Sequence, residues 1–91
     1  MTNEQLTAAI GSRLGRECGL TPSETAIVEA LIAGRRPAEI AAARGGSVST
    51  VRVHIRTIFY KLDIHSVNEL FSLVLSHMNT PAEEMGSATA G

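Results

Sequence analysis

The sequence predicts a small all-α domain, and three observations carry that expectation. Apolar residues recur at helical spacing in separate stretches, each opened by a residue suited to capping a helix. No stretch alternates with period two over a useful length, so strands are not indicated. The connections between stretches are about three residues long, as in a compact helical bundle.

Thr21-Pro22-Ser23-Glu24 reads as a capping box with proline at the first helical position. Hydroxyl and carboxylate satisfy each other's backbone N–H, and the proline presets φ. Ile27, Val28, Leu31 and Ile32 follow as an apolar stripe, and Gly34 offers a left-handed stop. Pro37 opens a shorter helix through Ala43, whose small side chains permit close approach to a neighbour; Gly45-Gly46 ends it. Ser47 caps a third helix running to about Leu62. Ser66-Val67-Asn68-Glu69 is a second capping box, heading a helix to about Met78. At the N-terminus Thr2 and Gln5 suit the cap of a short helix with Leu6, Ile10 and Leu14 on one side. Gly11 and Gly15 weaken that helix by roughly 1 kcal/mol each, so residues 1–19 read equally as an accessory helix or a linker. Residues 79–91 are polar, small and rich in Gly, Ala and Ser, the composition of a disordered tail. The expected organisation is an N-terminal segment (1–19), one helical domain (20–78) and that tail.

Composition excludes several function classes. With 91 residues, 44% hydrophobic and 19% charged, the chain is globular, and a core of this size rarely supplies more than roughly 3–5 kcal/mol. Cys18 is the only cysteine, which rules out a disulfide framework and fits a reducing compartment. The first residues lack a signal pattern and no apolar run approaches the roughly 20 residues of a membrane span, so a cytoplasmic protein without membrane association is expected. With no Trp, one Tyr and two Phe, a stacking platform for RNA or single strands is not expected. His54, His65, His77 and Cys18 are too scattered for a local metal motif, and no glycine-rich phosphate loop follows a strand. Neither catalysis, a cofactor nor a metal is expected.

The net charge of −1 conceals an asymmetry. Between Gly34 and Leu62, Arg35, Arg36, Arg44, Arg52, Arg56 and Lys61 stand against Glu39 alone, whereas the rest of the chain holds Arg13 and Arg16 against eight acids. A basic middle in an acidic envelope is the pattern of a nucleic-acid reader, although a mixed solvated surface gives it too. The third helix sharpens the choice. At 100° per residue Val51, Ile55, Ile58, Phe59 and Leu62 share one face, which is core, while Ser49, Arg52, Val53, Arg56 and Tyr60 share the opposite one. Arginine reads guanine by donating to O6 and N7 as a fork, and a small apolar side chain meets a thymine methyl. Arg52 and Arg56 are placed for the first contact and Val53 for the second. Ser49 joins them on the base-facing side, and His54, Thr57 and Lys61 flank the face where phosphates run. Together with the preceding helix and the Ala-Arg-Gly-Gly turn this forms a helix-turn-helix.

The ordered residues Leu20-Thr21-Pro22, Glu24, Gly34, Glu39-Ile40-Ala41, Ser47, Thr50-Val51-Arg52-Val53-His54, Lys61-Leu62, Ile64 and Glu69-Leu70 resemble the LuxR-type (GerE-like) DNA-binding domain of bacterial transcription regulators, without a gap from Leu20 to about Leu75. The resemblance implies a four-helix domain with its third helix in the major groove of double-stranded DNA. It places Arg52 at a position, usually Lys or Arg, that reaches bases or phosphates, Val53 and Arg56 at base-contacting positions, and Thr50, His54 and Lys61 at positions that commonly touch phosphate. Thr50 and His54 have a second reading, a hydroxyl bonded within the turn and an imidazole wedged beside the core. Three positions depart from the family pattern. Gly46 stands where an aliphatic residue usually plugs the turn, leaving roughly 1–2 kcal/mol of burial unused. Ala38 stands where many members carry a basic phosphate contact, a loss that Arg35 and Arg36 can offset. Asp63 replaces a customary glycine after the recognition helix.

On the last helix Leu70, Phe71, Leu73, Val74, Leu75 and Met78 cover an arc of roughly 200°, about twice what one core face needs. The surplus predicts an isologous homodimer using some of Leu73, Val74, Leu75 and His77, as the family's corresponding helix does; burial against the N-terminal segment is the alternative. The function expected is therefore sequence-specific regulation of transcription, with a related regulator or RNA polymerase as further partners. An interaction module that binds no DNA and antagonises a related regulator by heterodimerisation is the alternative. Region 4 of a sigma factor shares the Thr-Pro-Glu opening and the turn, but normally lacks a capped apolar helix after the Lys-Leu pair. Receiver or ligand-binding domains commonly precede such readers, so the nineteen residues before Leu20 fit a stand-alone regulator or a fragment of a longer one.

Overall fold

The computed structural model describes residues 2–78. The expected disordered tail, 79–91, lies outside them. Five helices follow one another, and no strand occurs among the described residues: α1 (Asn3–Cys18), α2 (Pro22–Ile32), α3 (Pro37–Arg44), α4 (Val48–Leu62) and α5 (Val67–Met78). The core gathers Ile10 and Leu14 of α1, Ile27, Val28 and Leu31 of α2, Ile40 and Ala41 of α3, Val51, Ile58 and Leu62 of α4, and Leu70 and Val74 of α5.

The ends of the helices are set by local chemistry. Thr2 and Gln5 form a full capping box, as do Thr21 and Glu24 with Pro22 at the first turn. The Arg36 amide donates to the Glu39 carboxylate at 2.8 Å, which starts α3 after Pro37. Gly34 (φ +90°) follows α2, and Gly45 (φ +71°) ends α3 in the left-handed region. Asp63 ends α4 at φ 58°, a conformation glycine adopts more cheaply. The box expected at Ser66 is displaced. Ser66 Oγ accepts from the Glu69 amide at 3.2 Å, but the Glu69 carboxylate accepts from the backbone N–H of His65 rather than of Ser66.

Two findings bear on the sequence reading. First, of the two readings left open for the N-terminal segment, α1 takes the helical one, a sixteen-residue helix whose Leu14 is wholly buried. Its glycines, read above only as weak helix formers, let α1 lie close against α2. A Cβ on Gly15 would sit 2.6 Å from Thr25 Oγ1, and one on Gly11 would press still closer on the Glu29 side chain. Second, Gly46 gives up little packing, because a Cβ there would meet no atom within 4 Å. Val48, two residues on, is the aliphatic side chain of this turn that packs on the core.

One ion pair ties the C-terminal end of α4 to the start of α2. Lys61 Nζ lies 2.7 Å from Glu24 Oε1, an oxygen that also accepts from the Thr21 amide at 2.9 Å. Glu24 is only 6% exposed. The Lys61 hydrogen bond, followed by that of the Thr21 backbone, holds its carboxyl below the ordinary value of 4.5. A carboxyl lowered in this way lends stability that is complete above its unfolded value and lost as pH falls through the folded one. Glu24→Gln is therefore expected to unfold in less urea than the parent chain at neutral pH, with the gap closing as the pH drops below 4.5. A gap that stays constant with pH would show that the charge does not hold the pair. Gly15→Leu tests the close crossing of α1 on α2. Leucine is the better helix former by roughly 1 kcal/mol, yet overpacking is expected to outweigh it and to cost about 1–3 kcal/mol in chemical denaturation; a gain in stability would rule the crossing out.

Candidate nucleic-acid interface

α4 begins at Ser47, whose Oγ accepts from the Thr50 amide at 3.1 Å and donates to Thr50 Oγ1 at 2.9 Å. From there the helix presents two faces. Val51, Ile58 and Leu62 are buried and Ile55 and Phe59 half-buried against the core. Ser49, Arg52, Val53, Arg56 and Tyr60 are all exposed, Val53 by 54% and Tyr60 by 86%. An apolar residue so open on a helix otherwise well packed has no role in the fold. Arg52 and Arg56 are one turn apart, about 6 Å along the axis, close to two base-pair steps of 3.4 Å each. The ion pairs among the described residues, Arg13–Glu17, Lys61–Glu24 and His65–Glu69, involve neither arginine. Both guanidinium forks are therefore available to an external acceptor.

The flanking positions are less uniform. Arg35 and Arg36 are exposed in the turn between α2 and α3, on the approach to α4. Thr50 is exposed, with its hydroxyl bonded to that of Ser47 as its intramolecular reading had it, and His54 is half-buried. Lys61 directs its ammonium inward, to Glu24 and, at 3.4 Å, to the Gly19 carbonyl. Arg44, which sequence reasoning left without a role, donates to the Ser23 hydroxyl at the head of α2. The Thr57 hydroxyl returns to the Val53 carbonyl at 3.2 Å, the usual fate of a helical threonine.

The structure divides the residues expected at a dimer seam. Val74 is buried in the chain's own core, and Leu73 and His77 are half-buried. Leu75 is 57% exposed, and Phe71 and Val67, at successive four-residue steps before it, are also exposed. Leu73 and Leu75 lie roughly 160° apart on a 3.6-residue helix, so they cannot belong to one contact. The open strip of α5 is Val67, Phe71 and Leu75. Its four-residue spacing was visible in the sequence, but only the placement of α1 and α2 against α5 shows which flank stays uncovered.

Among the described residues no group of three or more His, Cys, Asp or Glu side chains is placed to hold a metal ion, and no helix is long and apolar enough to cross a membrane. The Cys18 thiol is half-buried, and its pKa is raised by that burial and by the neighbouring Glu17 charge, which disfavours the reactive thiolate.

The outward set on α4 makes no contact that holds the fold together. Alanine at Arg52, Val53 or Arg56 is expected to leave urea stability within about 0.5 kcal/mol of the parent chain. A larger loss at any of them would identify that side chain as structural.

Comparison with known proteins bears on the same stretch. The model of a family described as GerE, bacterial regulatory proteins of the luxR family, matches residues 19–74, from the glycine before α2 into α5. No curated protein and no solved structure matches the chain.

Proposed function

The chain belongs to the luxR family of bacterial regulatory proteins, a DNA-binding kind of transcription regulator, and on that premise we propose that it regulates transcription by reading a specific duplex sequence through α4. The helix enters the major groove with Ser49, Arg52, Val53 and Arg56 toward the base edges. Arg35, Arg36, Thr50 and His54 lie along the flanking phosphates, where contacts position the protein without specifying sequence. Lys61 reaches phosphate only by leaving Glu24, so its main service is to orient the helix. The observation that supports this reading best is the joint exposure of Arg52, Val53 and Arg56 on one face, with neither arginine in an ion pair.

A homodimer through the α5 strip of Leu75, Phe71 and Val67 would set two recognition helices about one turn of DNA apart on a quasi-palindromic site. The same strip supports a second reading, pairing with a related regulator by a chain that itself binds no duplex.

Selection of bound fragments from random duplexes, followed by titration at two salt concentrations, separates the two. Specific binding that weakens steeply with salt is expected. Arg56→Ala is expected to cost roughly 1–3 kcal/mol and to relax preference at one base pair. Absence of duplex binding at every salt concentration, together with co-purification of a related regulator, would favour the second reading.

A further inference from the structure

Tyr60 extends the outward face of α4 one turn beyond Arg56 and is 86% exposed. Its hydroxyl takes part in no hydrogen bond among the described residues. At 100° per residue it lies within about 30° of the centre of the face formed by Ser49, Arg52, Val53 and Arg56. A ring so open adds almost no burial to the fold. The residue that follows it is turned the other way. Lys61, the cation expected to anchor this end of the helix on phosphate, directs its ammonium to Glu24 and the Gly19 carbonyl. The phenol is the polar head left on the outward face in the last turn of α4. Beside it a groove of about 480 Å³ runs from α4 to the turn at residues 63–65. Arg52, Arg56, Tyr60 and His65 share its walls with one acid, Asp63.

Spacing decides which part of a duplex the phenol meets. Arg52 and Tyr60 are eight residues apart, about 12 Å along the helix, and the major groove is about 12 Å wide. With Arg52 and Arg56 over base edges, Tyr60 falls at the rim of the groove, where the phosphates run. We infer that the Tyr60 hydroxyl donates a hydrogen bond to a backbone phosphate at that rim and sets how far α4 advances along its own axis in the groove. The inference rests on the reading of α4 as the helix that faces DNA. A hydroxyl bonded to an ionised oxygen makes a shorter and stronger bond than one between neutral groups. The ring has only two rotatable bonds, so ordering it loses little side-chain entropy. Being uncharged, the phenol releases no condensed counterion, which separates it from a phosphate contact made by Arg35 or Arg36.

A duplex selected by the parent chain provides the test. Tyr60→Phe is expected to bind it roughly threefold to tenfold more weakly. Base preferences and the slope of log affinity on log salt are expected to stay those of the parent. Urea stability is expected to be unchanged, because the residue is exposed. Ethylation of single phosphates locates the contact. One phosphate at the groove rim is expected to interfere with the parent chain and no longer with Tyr60→Phe, while the others interfere with both. Equal affinity of parent and variant would overturn the inference and leave the DNA reading standing. So would an unaltered ethylation pattern, or a changed base preference, which would make Tyr60 a base contact. A parent chain that bound no duplex would refute both.

Discussion

The Glu24 carboxylate is the point from which the orientation of α4 follows. One of its oxygens receives the Thr21 amide that starts α2 and the Lys61 ammonium from the last turn of α4, while the same ammonium reaches the Gly19 carbonyl that follows α1. Three helices meet at one charge. A helix docks by a single face, and a shift of one residue rotates its surface by about 100°, enough to carry Arg52 toward the core and Val51 toward water. Breaking this part-buried pair leaves the buried Glu24 carboxylate without its charge partner, which disfavours alternative rotations. The apolar contacts of Val51, Ile58 and Leu62 define the inner face; the Glu24–Lys61 bond fixes the far end of α4 against α2. The exposure of Arg52, Val53 and Arg56 is the consequence.

This division of labour explains what could be read from the chain alone. Capping boxes work across three residues, and helix faces repeat every three or four, so the starts of α1, α2 and α4 and the two faces of α4 were legible from short windows of sequence. What escaped depends on partners distant in the chain. Glu24 and Lys61 are 37 residues apart, and nothing near Lys61 marks it as anything but a surface cation beside a DNA-reading face. Gly11 and Gly15 register locally as weak helix formers; their value appears only with Glu29 and Thr25 opposite them. The displaced Glu69 contact is another case, since the i to i+3 spacing from Ser66 was correct but the carboxylate reaches one residue further back.

The partition of α5 shows how such distant contacts decide function. Its apolar residues cover an arc too wide for one core, and sequence gives no means of dividing that arc into inner and outer parts. α1 and α2 together make the division. Because glycine allows α1 to lie close on α2, Ile10 and Leu14 enter the core and the flank of α5 bearing Val74 closes over. The opposite flank, Val67, Phe71 and Leu75, stays open. All of α1 (Asn3–Cys18) precedes the stretch matched by the family model, which begins at residue 19. The covering of α5 is therefore shared between α2, inside the matched stretch, and α1, which precedes it.

The same reasoning relates the two exposed surfaces. Val67 and Phe71 lie beside Arg52 through the cavity they share, so the open strip of α5 and the outward face of α4 are adjacent rather than independent. Anything that packs on the strip near Phe71 changes the surroundings of Arg52, the side chain proposed above to reach base edges. A second copy of the chain seated further toward Leu75 would leave Arg52 accessible, whereas a partner reaching the cavity would pack against its stem. Occupancy of the strip toward either end is thus a physical route by which assembly and DNA binding become coupled, without any rearrangement of the core. The coupling equals the difference in interaction energy of Arg52 between the open and the occupied strip.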